Sequence, residues 1–81
     1  MDLDTIKQQI SDYIRELSYG DLRNLTYETL IFRDGIFDSM GLVSLITFME
    51  EKYSIQITEN DLDETNFESI NAISSFILKK I

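Results

Sequence analysis

The run Asp34-Gly35-Ile36-Phe37-Asp38-Ser39-Met40-Gly41-Leu42-Val43-Ser44-Leu45-Ile46-Thr47-Phe48-Met49-Glu50-Glu51-Lys52-Tyr53 decides how this chain is read. It passes from a glycine, through two apolar residues, to an acid and a serine, and then enters a helical pattern. Leu42, Leu45, Ile46, Met49 and Tyr53 stand at offsets 0, 3, 4, 7 and 11, which is one face of a helix. Val43 and Phe48 flank that stripe and are expected to broaden it. The helix is expected to start at Asp38-Ser39 and to end near Tyr53-Ser54.

Before this run, Leu3, Ile6, Ile10, Tyr13, Ile14 and Leu17 repeat at offsets 0, 3, 7, 10, 11 and 14, so residues 3–17 read as a first amphipathic helix. Asp2 or Asp4 can cap its start, and Gly20 in Ser18-Tyr19-Gly20 suits a left-handed end. Residues 21–37 carry no clean period but hold Leu22, Leu25, Tyr27, Leu30, Ile31, Phe32, Ile36 and Phe37. So many apolar groups predict an ordered crossover packed on the core. After the run, Thr58 can cap a helix of one or two turns, with Asp61 at the capping-box position. Ser69 is the expected cap of a last helix, whose Ile70, Ile73, Phe76, Ile77 and Lys80 lie on one face, with Lys79 and Lys80 at its negative end. The expected fold is all-α: a small four-helix bundle of three longer helices and one short third helix, with a long ordered loop between helices 1 and 2. Residues 1–81 read as one domain, since 81 residues are too few for two cores.

Composition removes most chemistry. The chain has no Cys and no His, which excludes a Cys–His pair, a Ser–His–Asp triad and a thiolate or imidazole metal site. No carboxylate calcium loop is present either, so no metal site is expected. The net charge is −8, and its placement matters more than its size. Residues 34–68 hold nine acids and one base, Lys52, whereas the remaining acids and bases cancel. Such a segment repels nucleic acid and suits basic protein partners. The longest apolar run is too short to cross a bilayer, and Met1-Asp2-Leu3-Asp4 lacks the features of a secretory signal. A cytoplasmic monomer is the expectation.

The residue that can carry chemistry is Ser39. It stands where unpaired backbone N–H groups and the helix dipole favour an anion such as a phosphodiester. Gly35 allows the crossover to turn sharply, and Ile36 and Phe37 can anchor it. Asp38 is too weak a base to activate the serine, and fits better as a group that a docking enzyme reads or uses to place Mg²⁺. The plainer reading is that Asp38 or Ser39 is an N-cap, worth about 1 kcal/mol.

From residue 34 to about residue 77 the chain resembles the acyl carrier proteins. Asp38-Ser39-Met40 matches the family's Asp-Ser followed by a large aliphatic residue. Residues 43–53 resemble its second helix, Ile55-Gln56-Ile57-Thr58 its passage to the short third helix, and Phe67-Glu68-Ser69-Ile70-Asn71-Ala72-Ile73 its approach to the last helix. The resemblance implies that Ser39 receives 4′-phosphopantetheine from coenzyme A through a Mg²⁺-dependent phosphopantetheinyl transferase. The arm's thiol then holds an acyl or aminoacyl group as a thioester, put there by a loading enzyme and passed to downstream transferases. The protein itself would be no enzyme. Asp38 and Met40 would flank the arm, and Asp38, Met40, Thr47, Glu50, Glu51 and Glu59 would contact partners.

The match has departures. Common fatty-acid carriers have Gly three residues before the serine, where Ile36 stands here, and acids just inside the second helix where Gly41 and Ser44 stand. The pattern Gly-x-x-Asp-Ser-x-Gly is closer to D-alanyl and other specialised stand-alone carriers, which implies a dedicated pathway. Fatty acyl, hydroxyacyl, aminoacyl and D-alanyl cargoes all fit. The competing reading is an acidic helical interaction module in which Ser39 is a simple helix cap.

Overall fold

Helix α1, Leu3–Leu17, opens on Asp2, whose carboxylate accepts the N–H of Thr5 at 2.8 Å. The computed structural model describes residues 2–17 and 25–81. The expected end of the first helix at Ser18-Tyr19-Gly20 therefore lies outside the described residues, as does the part of the crossover that holds Leu22. α2 spans Ser39–Tyr53, and Ser54 closes it in the left-handed conformation with φ 53°. A 3-10 turn, Glu59–Asp61, and a one-turn helix α3, Glu64–Phe67, lead to α4, Ile70–Lys80. Among the described residues there is no strand. The all-α expectation holds.

The core is built from the periodic residues. Ile6, Ile10 and Ile14 of α1, Leu45 and Met49 of α2, and Ile70, Ile73 and Ile77 of α4 are fully buried. Fully burying such a side chain contributes about 1.5–3 kcal/mol, so this cluster is the main favourable term. Two tyrosines fasten α1 to α2. Tyr13 donates its hydroxyl to the Ser44 carbonyl at 3.0 Å and stacks on Phe48 with centroids 4.0 Å apart. Tyr53 donates to the Gln9 side chain at 2.7 Å.

Two local expectations are corrected. Val43 does not broaden the inward stripe, because it is 59% exposed on the outer side of α2. One residue beyond Leu42 is a rotation of about 100° around a helix, enough to leave the core face. Phe48, on the other flank, is half-buried as expected. The turn expected from Thr58 forms with its capping box to Asp61 as expected, but it is a single 3-10 turn and not α-helical. Thr58 donates its N–H and hydroxyl to the Asp61 carboxylate at 2.9 and 3.0 Å, and the helical turn then restarts at Asp63, which accepts Thr65 N–H at 2.9 Å. Ser69 caps α4 as expected, accepting Ala72 N–H at 3.1 Å.

The described part of the crossover is packed. Ile31 is fully buried, Phe37 is 6% exposed, and Leu25, Phe32 and Ile36 lean on the same core. The described part of the crossover includes a helix-like turn that ends in a Schellman arrangement. Ile36 N–H donates to the Ile31 carbonyl at 2.9 Å, Gly35 N–H donates to Phe32 at 3.3 Å, and Gly35 adopts φ 77°. A side chain at Gly35 would meet the steric penalty of that conformation.

Three carboxylates held by backbone N–H groups or by Lys80 make the fold sensitive to acid. Asp61 is held below the ordinary 3.8 by the Lys80 ammonium and then by Thr58, and Asp2 and Asp63 are held below it by the backbone N–H groups of Thr5 and Thr65. Depressed folded values mean that the unfolded chain binds protons first, so this stability is complete above about pH 4 and is lost as pH falls further. Urea midpoints measured from pH 6 to pH 2.5 are expected to fall in that window. A variant carrying Asn at positions 2, 61 and 63 is expected to show a shallower fall.

Candidate functional site

The site begins at Ile31. Its N–H donates to the Glu68 carbonyl at 3.0 Å, and its own carbonyl accepts from both Ile36 and Phe37, at 2.9 and 3.0 Å. The crossover is thereby tied to the approach to α4 and delivers Phe37 into the core just before the second helix. Phe37 packs on the first turn of α2 because Gly41 has no side chain. A Cβ there would lie 2.9 Å from Phe37 Cγ, closer than packed atoms allow. Gly41 is therefore a packing residue, not merely a position where an acid is missing. A glycine inside a helix is a local anomaly, and that anomaly is the sequence signal for a close approach.

The helix cap belongs to Asp38. Its backbone is extended, with φ −112° and ψ −168°, and its carboxylate accepts the N–H of Gly41 at 3.0 Å. The first intrahelical bond runs from Leu42 N–H to the Asp38 carbonyl at 3.0 Å. Ser39 and Met40 thus occupy the first two helical positions, with N–H groups that no intrahelical carbonyl can reach. Ser39 is exposed and is not the cap, which removes the reading of Ser39 as a simple helix cap. Met40 beside it is 73% exposed.

Two grooves flank this junction. One, of about 650 Å³, has Phe32, Phe37, Leu42, Leu62 and Phe67 in its walls and Ser39, Asp38, Asp63 and Glu64 at its edges. The other, of about 380 Å³, runs between Leu17, Ile36 and Phe37 on one side and Met40, Gly41 and Ser44 on the other. Ser39 therefore stands beside an apolar recess with charged edges. The sequence pattern missed the contribution of Phe32, Leu62 and Phe67, which come from three separate segments.

The expected partner-contacting residues do not form one patch. Met40, Val43, Thr47 and Glu51, at offsets 0, 3, 7 and 11, make a continuous exposed stripe on α2 that leads away from Ser39. Glu50 is off that stripe. Its carboxylate accepts Ile57 N–H at 3.0 Å and holds the extended passage against α2. Glu59 is exposed on the 3-10 turn, outside α2. The acid-rich segment is thus partly structural: Asp38, Glu50, Asp61 and Asp63 all accept backbone hydrogen bonds within the fold. Among the described residues no group of acids is arranged to hold a metal ion, and no helix is long and apolar enough to cross a membrane.

Separating cap from hydroxyl has a stability consequence. Asp38→Ala is expected to cost about 1 kcal/mol, whereas Ser39→Ala is expected to stay within about 0.5 kcal/mol of the parent. Chemical denaturation of the two variants checks this. Gly41→Ala is expected to lower the denaturation midpoint, because overpacking costs about 1–3 kcal/mol against about 1 kcal/mol regained in helix propensity.

No protein-family model matches the chain. Curated relatives do: it is 27% identical over 75 residues to proteins named D-alanyl carrier protein from Bacillus mycoides (strain KBAB4), Bacillus cereus (strain B4264) and Bacillus anthracis (strain CDC 684 / NRRL 3495). Each alignment covers 93% of this chain and 90% of the relative. The likeness to carrier proteins read from residues 34–77 therefore extends over nearly the whole chain. These relatives carry the name of carriers, not of enzymes.

Proposed function

We propose that this chain, a distant relative of the D-alanyl carrier proteins, is itself a carrier that bears 4′-phosphopantetheine on Ser39 and performs no catalysis of its own. The observation that carries this reading is the division of labour at the start of α2. Asp38 caps the helix through Gly41 N–H, so the Ser39 hydroxyl beside it is exposed and has no capping duty. A phosphodiester at Ser39 would meet the N–H groups of Ser39 and Met40 and the positive end of the helix, which favour negative charge. The apolar grooves on either side offer walls to an uncharged pantetheine chain. With no Cys in the sequence, the working thiol is supplied by the arm, which holds the cargo as a thioester.

The partners are a Mg²⁺-dependent phosphopantetheinyl transferase using coenzyme A, a loading enzyme and downstream transferases. Asp38 and Met40 meet them nearest the arm, and Thr47 and Glu51 extend the contact along the exposed stripe of α2. Glu59 adds an acid from the 3-10 turn. Glu50 contributes by holding residues 55–57 in place. The names of the relatives make a D-alanyl group the first cargo to test, and a cytoplasmic monomer remains the expected form.

Incubation with coenzyme A, Mg²⁺ and a broad-specificity phosphopantetheinyl transferase is expected to add the mass of one phosphopantetheine at Ser39. The Ser39→Ala chain is expected to fold normally and to gain nothing. A folded parent chain left unmodified by several such transferases would overturn the proposal. Intact-mass analysis of protein from its native cell is expected to show the arm and its cargo together.

A further inference from the structure

One side of the larger groove beside Ser39 is built from residues with little burial. Leu62, Asp63 and Glu64 form its edge, and no residue from 58 to 66 is buried; Leu62 itself is 54% exposed. Hydrogen bonds within this stretch close on themselves. Asp61 accepts from Thr58, Leu62 N–H donates to Glu59 at 3.2 Å, Asp63 N–H donates to the Asp61 carbonyl at 2.8 Å, and the Asn66 side chain donates to that same carbonyl at 2.9 Å. Residues 58–66 are therefore a preformed unit with little apolar anchorage.

Its two ends, by contrast, are fixed. Before it, Ile57 N–H is held by Glu50 at 3.0 Å. After it, Phe67 is buried against Phe76 with ring centroids 5.3 Å apart, and the Glu68 carbonyl is held by Ile31. Between these anchors, among the described residues, one ion pair ties the unit to a long helix. Lys80 Nζ lies 2.6 Å from Asp61 Oδ2, with both side chains partly shielded from solvent. The Lys80 ammonium also lies 5.8 Å from the centre of the Phe76 ring, the same ring that packs on Phe67, which helps hold it near Asp61.

We propose that the Lys80–Asp61 pair is a latch that keeps residues 58–66 closed along the groove beside Ser39. Asp61 is the natural catch, since its carboxylate organises the unit through Thr58 while its carbonyl holds Asp63 and Asn66. Breaking the pair frees the unit as a flap that swings between Ile57 and Phe67 and widens the recess over Leu42 and Phe67. Locally weak segments of this kind open without global unfolding. The latch is a property of the folded chain and does not rest on the modification of Ser39.

Amide hydrogen exchange on the unmodified full chain tests it, so this result cannot be confused with failure of the carrier reading. Lys80→Met keeps the apolar stem but removes the charge. It is expected to speed exchange of residues 58–66 by about two- to fivefold, the range set by a partly exposed ion pair, with α1 and α2 unchanged. Lys80→Arg is expected to exchange like the parent. Raising salt from about 0.01 M to about 1 M shortens electrostatic screening from ~30 Å to ~3 Å, and is expected to speed the same amides in the parent but not in Lys80→Met. Unchanged exchange in Lys80→Met, acceleration spread equally over all helices, or an Arg variant that behaves like Met would each overturn the latch.

Discussion

The hydrogen bonds of one buried residue, Ile31, are the constraint on which the site depends. Its amide reaches the approach to α4, and its carbonyl takes the N–H groups of Ile36 and Phe37. A crossover in an 81-residue chain has little core to lean on, so its conformation needs both side-chain burial and satisfied backbone. Ile31 supplies both. The consequence passes along the chain in order: Phe37 is set into the core, Gly41 leaves room for its ring, Asp38 is turned to cap α2, and Ser39 is left at the helix end. A disturbance anywhere in that series would move the hydroxyl.

The modification proposed for Ser39 and the stability of the helix end are kept apart at this junction. A residue that both caps a helix and reacts would lose its cap when modified. Here the capping acid and the exposed serine are adjacent but separate, so esterification of one leaves the other's hydrogen bond to Gly41 intact. The same economy is visible in the acids. Several of the nine between residues 34 and 68 are occupied by backbone N–H groups. The outward stripe of α2 is left almost uncharged near Ser39, with its first acid at Glu51. Recognition there would rest on Met40 and Val43 more than on long-range attraction.

Much of the helical framework was legible in the sequence, because helix periodicity is a local property written at spacings of three and four residues. The bounds of α1 and α2, the cap at Ser69 and most of the inward faces of the three long helices follow from it, although Leu17, expected inward on α1, is 39% exposed. The departures are equally local in origin. Val43 is apolar and flanks the inward stripe, but its angle around the helix carries it out to 59% exposure. The turn at Thr58 has the chemistry of a capping box but too few residues before Asp63 to continue as a helix.

By itself, the sequence determined that the protein is helical, that without Cys or His it can build no Cys–His pair, Ser–His–Asp triad or thiolate or imidazole metal site, and that Ser39 lies at the start of a helix. Only the tertiary structure decided that Asp38 is the cap, that Glu50 is spent on Ile57, that Gly41 is shaped by Phe37, and that Lys80 reaches Asp61. Each of these is a choice between partners that sequence spacing leaves equally possible. It is settled by which segments the packed core brings within hydrogen-bond distance, and that distance is not encoded in any short stretch of the chain.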